Sequence, residues 1–189
     1  MTAGTSLLCE SIRSQLIVID IQQRLATAMP DKALQNVTRN TGLLLQAAGL
    51  LEVPVIRTEQ YPKGLGDTLP EVAGHLPAAT VTLEKTCFSC MGATGFNKAV
   101  NPEGRNQIIL AGMESHVCVL QTAMQLQAQG NLVFIAADAV CSRHKQNHKN
   151  ALKRMAQAGI VISNTESILF EWLRDANHVH FKTISALLR

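Results

Sequence analysis

Little in this chain marks a binder of large charged partners. Charged residues make up 16% and aromatics 4% of its 189 positions. No basic cluster interleaved with aromatics occurs, which argues against nucleic-acid recognition. No apolar run approaches the ~18 residues of a membrane span. The opening MTAGTSLLCESIRS also lacks the basic start and long apolar core of a signal peptide. The expected setting is therefore cytoplasmic, with neither membrane nor nucleic acid as partner. A disulfide framework is missing as well: the five cysteines, Cys9, Cys87, Cys90, Cys118 and Cys141, are odd in number and unevenly spaced, so they read as reduced thiols. Without repeats, low-complexity tracts or a linker, residues 1–189 read as a single domain.

What is present is the composition of an ordinary core. A hydrophobic content of 47% in a chain of this length suffices to bury about 70% of the unfolded surface. Apolar runs alternate with amphipathic stretches, the pattern of a parallel sheet with helices on both faces, a three-layer αβα arrangement. The strand candidates number six: Leu16 to Asp20, Val53 to Arg57, Thr80 to Glu84, Gln107 to Gly112, Leu132 to Ala136 and Ile160 to Ser163. Helices are predicted over Asp31 to Leu50, over Ser115 to Gln129 with Ser115 as N-cap and Gly130 past the end, and over Thr165 to Arg174. Tyr61 to Ala79 holds three Pro and three Gly and reads as a long loop. His178 to Arg189 reads as a terminal helix whose Phe181, Ile184, Leu187 and Leu188 pack on a partner subunit or back on the domain. Lys145, Lys149, Lys153 and Arg154 recur at helical spacing and read as a solvated face.

Chemistry concentrates in IILAGMESHVCVL, Ile108 to Leu120, where an apolar strand breaks at Gly112 and restarts as a helix with Cys118 in its first turn. Helix N-termini carry unpaired N–H groups and the positive end of the macrodipole, which favours an anion. Such a position can bring a thiol from about 8.5 into the range of roughly 3.5 to 7.5. A small buried core residue is the plainer reading of a lone cysteine. Two other strand ends change the balance: Asp20 closes LIVID, and Lys85 follows TVTLE. In an open parallel sheet the carboxyl ends share one edge, and ligands bind outside it. Asp20 is thus a candidate general base, Lys85 an electrostatic partner of the thiolate, and Cys118 a nucleophile for a carbonyl carbon.

Four blocks in this order, DIQQRL at Asp20 to Leu25, EKTCFS at Glu84 to Ser89, GMESHVCV at Gly112 to Val119 and ADAVCSR at Ala137 to Arg143, resemble the isochorismatase-like cysteine hydrolase superfamily. RTEQYPKGLGDT, Arg57 to Thr68, looks most like its isochorismatase domain-containing branch. The resemblance implies a Rossmann-like fold and a catalytic triad of Asp20, Lys85 and Cys118. It also implies an oxyanion site from the backbone N–H groups of Glu114 and Cys118, a cis peptide at Met113 to Glu114, and a homo-oligomer. Nicotinamidases of the superfamily carry an Asp-x-His metal motif after the second strand, whereas this chain reads RTEQYPKG there. No metal and no cofactor are therefore expected. Isochorismatases proper lack a nucleophile at the cysteine position, so Cys118 speaks against vinyl ether hydrolysis.

The expected reaction is hydrolysis of a small amide or related carbonyl compound through a Cys118 thioester. Gln22, Leu25, Thr58, Tyr61, Phe88, Ser89 and Met113 are the candidate substrate-binding residues. A silent binding or scaffold protein of the same fold is the alternative, followed by a thiol redox protein using the CxxC of Cys87 and Cys90. His116 lies two positions before Cys118, a spacing that sends the two side chains to different sides of a helix. His144 and His148 share a helix face but lack a Glu between them and a third ligand. Asp138 and Arg143 are expected to form a structural ion pair.

Overall fold

The computed structural model describes residues 7–189, so the first part of the N-terminal segment read above lies outside the described residues. Its centre is a six-stranded, wholly parallel sheet in the order β3-β2-β1-β4-β5-β6. The strands are β1 (Ser14–Ile19), β2 (Val55–Gln60), β3 (Val81–Lys85), β4 (Gln107–Met113), β5 (Leu132–Cys141) and β6 (Val161–Ser163). Helices follow in chain order as α1 (Gln23–Ala26), α2 (Asp31–Leu50), α3 (Pro62–Leu65), α4 (Pro70–Ala73), α5 (Phe96–Ala99), α6 (Leu120–Ala128), α7 (Lys145–Gln157), α8 (Thr165–Leu173) and α9 (Phe181–Leu187). The expected αβα architecture is thus present.

Alternation of side chains along each strand builds two cores. Leu16 and Val18 of β1 face one cluster with Leu44, Leu45 and Ala48 of α2 and Leu169 and Trp172 of α8. Ile17 and Ile19 face the other, with Leu120, Ala123 and Leu126 of α6 and Met155 of α7. Burial on both faces explains why β1 reads as an uninterrupted apolar run. The Trp172 indole donates to Ser14 Oγ at 2.9 Å, which satisfies the one polar atom of a fully enclosed ring.

Several expectations are corrected. Tyr61 to Ala79 is not a featureless loop, since it contains α3 and α4. Both begin with a proline, whose fixed φ suits the first helical turn. The terminal stripe packs on its own domain: Ile184 is fully buried in the first core, and Phe181, Leu187 and Leu188 rest against it. That stripe therefore gives no reason for a second subunit. Strand β5 runs on to Cys141, past the expected Ala136, because its pairing with β4 shifts from Leu110↔Ile135 to Gly112↔Val140 across an irregularity.

The order of the sheet decides where a ligand can sit. From β1 the chain winds outward through β2 and β3, then returns to place β4 on the other side of β1. The carboxyl ends of β1 and β4 flank that reversal, the position at which open α/β sheets bind ligands. Their closeness demands glycine. Gly112 has φ 126°, and a Cβ there would lie 2.0 Å from the Ile19 carbonyl oxygen. Gly112→Ala is accordingly expected to cost about 2 kcal/mol or more, roughly 4–8 °C in melting temperature. A thermal melt within 1 °C of wild type would show that the two strand ends are free to separate.

Candidate active site

Asp20, Lys85 and Cys118 converge at that strand reversal. Lys85 Nζ lies 2.6 Å from Asp20 Oδ2, with both side chains fully buried. The same ammonium is 3.7 Å from Cys118 Sγ, and the charge of the Asp20 carboxylate acts on the Cys118 thiol. Asp20 itself leaves the strand with φ 52°, which turns its carboxylate off the end of β1. Lys85 closes β3, and Cys118 sits in the π-helical turn Ser115–Val119 that leads into α6. Single π-turns of this kind concentrate at functional sites.

Every hydrogen bond around Lys85 holds its charge in place. Besides Asp20, its ammonium donates to Gln60 Oε1 at 2.8 Å and to the Phe88 and Cys87 carbonyls at 3.2 and 3.3 Å. Burial pulls the lysine down, yet the charges of Asp20 and Cys118 and the bond to Asp20 leave it raised overall. These contacts favour its charged form. Gln60 falls in the stretch Thr58 to Tyr61 that the sequence offers as a pocket wall, but its role as a partner of Lys85 is not read there. The signal that finds it is register, because Gln60 lies directly opposite Lys85 in the β2–β3 pairing.

The thiol departs from expectation. Cys118 is only 6% exposed, and burial together with the negative charge of Asp20 pushes it up to about 12, although Lys85 pulls the other way. A helix start alone favours the anion, but desolvation and an adjacent carboxylate outweigh it here. The resting state is a neutral thiol paired with the negative charge of Asp20. Such a pair can ionise when a substrate excludes water and receives the electron pair.

A second tier of residues positions this group. Thr58 Oγ1 donates to Asp20 Oδ1 at 2.7 Å, and Cys90 Sγ approaches Thr58 Oγ1 at 3.8 Å. Gln22 is fully buried and behaves as a substitute strand: its Nε2 donates to the Gln60 and Gly66 carbonyls, and its Oε1 accepts from Gln60 N. This brace replaces the main-chain pairing that β1 gives up where Asp20 turns away. Glu59 adds an anchor by accepting from Thr68 N and Oγ1. Ser89 Oγ donates to Gln125 of α6 and accepts from Met91 N.

Of the expected pocket residues, Tyr61 and Phe88 stand 55% and 56% exposed near this edge. Tyr61 also lines a cavity of about 330 Å³ with Lys63, Lys85 and Thr86. Leu25 is half-buried against the first core, and Met113 lies wholly within it, so Met113 forms no pocket wall. The Met113–Glu114 peptide is cis, as the resemblance implies. Glu114 precedes the π-turn, and Ser115 opens that turn rather than capping it.

Arg143 does not pair with Asp138. It grips Glu114 instead, through Nε at 3.1 Å, Nη2 at 2.7 Å and its own backbone N at 3.0 Å. Burial would raise the Glu114 carboxyl, but these bonds and the guanidinium charge hold it below its ordinary value. Asp138 Oδ1 instead accepts from Thr165 N and Oγ1 at the start of α8. His116 bonds Ser142 Oγ and Asn147, and His148 bonds Ser115 Oγ. Cys87 and Cys90 are unbridged thiols. Burial, with Asp20 adding to it, raises Cys90 to about 11, an environment unlike that of a reactive dithiol. Among the described residues, no group of three or more His, Cys, Asp or Glu is placed to hold a metal ion.

A parallel sheet in Rossmann order, with a cysteine turn at its point of reversal beside a buried acid and lysine, defines the class of isochorismatase-like α/β hydrolase folds. Residues 14–167 match the isochorismatase domain, and the chain belongs to that family. It is 38% identical over 176 residues to isochorismatase domain-containing protein 2 of Danio rerio, covering 93% of this chain and 86% of that one. It is 37% identical to isochorismatase domain-containing protein 1 of Salmo salar, covering 90% of this chain and 59% of the longer relative. A solved structure described as the MAR1 ribonuclease of Caenorhabditis elegans superimposes with a TM-score of 0.88 at 34% identity, covering 96% of this chain and 92% of that one.

Proposed function

We propose that this protein is a cysteine hydrolase that cleaves a small amide or related carbonyl compound, with Asp20, Lys85 and Cys118 as its catalytic residues. The observation that carries the reading is the buried contact of Lys85 Nζ with Asp20 Oδ2 at 2.6 Å and with Cys118 Sγ at 3.7 Å. Asp20 takes the thiol proton as Sγ bonds to the carbonyl carbon. The tetrahedral oxyanion is held by the backbone N–H groups of Glu114 and Cys118. Collapse breaks the C–N bond, and the leaving amine takes the proton from Asp20. A water then gives one proton to Asp20 and its hydroxyl to the thioester carbon, which releases the acid and returns the proton to sulfur. Lys85 stabilises the thiolate as it forms in attack and again as it leaves the thioester carbon. Tyr61, Phe88 and Leu25 supply the apolar part of the substrate's surroundings.

The test is a screen of small amides with Cys118→Ala as control, and turnover that survives in the variant would overturn the reading. The description of the C. elegans relative as a ribonuclease makes a short RNA the necessary companion substrate. RNA cleavage with no amide turnover would replace the amide assignment. Failure of every substrate would favour the scaffold alternative. Neither metal nor cofactor enters the scheme. Exhaustive chelation is therefore expected to leave activity unchanged, and loss restored by one divalent ion would contradict it. A cytoplasmic homo-oligomer completes the proposal. No helix among the described residues is long and apolar enough to cross a membrane. Light scattering at micromolar concentration tests the assembly, which a single-chain mass would rule out.

A further inference from the structure

We propose that a cavity beside the nucleophile turn is a second ligand site, taking a compact apolar molecule with one anionic group, and that its occupancy is transmitted to Cys118. The cavity encloses about 350 Å³ between the first turns of α2 and α7 and the irregular end of β5. That volume is at the lower end of ligand pockets, which run from roughly 300 to 1,000 Å³. Asp20, Lys85 and Cys118 take no part in its wall. The inference is therefore independent of which substrate the crevice accepts.

The wall has two chemistries. Pro30, Ala33, Ala137, Val140 and Cys141 supply apolar surface. Lys32 and Lys145, both exposed, bring two cations from different helices, and half-buried His148 adds a ring nitrogen. The acid on this wall, Asp138, turns its Oδ1 to Thr165 N and Oγ1, and its formal charge, set against Lys32 and Lys145, leaves the wall a single net positive charge. An apolar body with a single carboxylate matches that distribution better than a neutral molecule or a polyanion does.

Coupling follows from what the wall residues touch. His148 Nδ1 is 3.0 Å from Ser115 Oγ, and Ser142 Oγ is 2.9 Å from His116 Nδ1. Cys141 lies opposite Met113 in the β4–β5 register. Met113, Ser115 and His116 all belong to the segment that delivers Cys118. A ligand that shifts His148 or Ser142 must therefore move hydrogen bonds of the nucleophile turn itself, and two arrangements of that turn would bind it differently.

Hexanoate is the probe, with hexanol as its neutral counterpart. Saturable binding with a dissociation constant of about 1 mM is expected, an ordinary affinity for eight heavy atoms. Amide chemical shifts should change at residues 137–148 and 115–116. The carbamidomethylation rate of Cys118 should change at least about twofold on saturation, as a modest coupling between sites predicts. Lys32→Glu with Lys145→Glu, both exposed, should weaken binding by about threefold to tenfold. Ala33→Phe should fill the cavity and remove both binding and the rate change. Hexanol binding as tightly as hexanoate would overturn the anionic assignment. An effect on Cys118 that persists in Ala33→Phe would mean competition in the crevice, and binding with an unchanged Cys118 rate would refute the coupling.

Discussion

Cys118→Ser is expected to lower hydrolysis of any amide returned by the screen by at least about 10³-fold, because an alcohol cannot be ionised by the same acceptor to a comparable extent. Stability should stay within about 1 kcal/mol of wild type, since the exchange is nearly isosteric. The contrast matters. Cys118 is a small, almost enclosed side chain inside the second core, so a purely structural cysteine at this place predicts the reverse: activity tracking stability. Single-turnover acylation followed by mass spectrometry separates the two, because the wild type should gain the acyl mass on Cys118 and the serine variant should not. Normal turnover by the variant would remove the nucleophile from the mechanism.

Lys85→Met is expected to have the largest effect on the folded state. It leaves Asp20 buried without its cation, and breaking a buried pair from one side costs about 3–5 kcal/mol. Combining it with Asp20→Asn should restore much of the urea midpoint without restoring activity, which marks the pair as electrostatic machinery rather than a stabilising bridge. The same lysine governs the thiol. Its charge favours the thiolate, so removing it should shift Cys118 alkylation to higher pH. In the wild type, a thiol near 12 predicts that the alkylation rate rises about tenfold per pH unit between pH 7 and 10, with no plateau. A plateau below pH 8 would mean that a stable thiolate exists before substrate arrives. Superimposable profiles for wild type and Lys85→Met would assign the lysine to another role.

Much of this molecule is local in origin, and that part was legible. Strands buried on both faces need unbroken apolar runs, which is how β1 and β4 announced themselves. Helix α2 was read with its ends at Asp31 and Leu50 as observed, because amphipathic spacing over twenty residues is a property of neighbours within one or two turns. The break at Gly112 and the acid, lysine and cysteine at strand ends were visible for the same reason. Parallel order then brings all carboxyl ends to one edge. The boundary of β5 was missed because its extension depends on pairing with β4, which alternation within one segment does not report.

By itself, then, the chain determined its layers, the ends of β1, β3 and β4 to within one residue, and the three side chains that meet there. Tertiary structure alone decided which partner each charge would take and what each burial would do to a proton. Arg143 chose Glu114 over Asp138 because Met113 pairs with Cys141, which sets Glu114 beside the end of β5. Gln22 became a brace because β1 turns aside at Asp20, and Cys118 became a neutral thiol because the second core and a carboxylate close over it. Periodicity reports on contacts within a turn or a strand. Ion pairing and desolvation depend on distance and water access among segments far apart in the chain, and these exist only once the chain has folded.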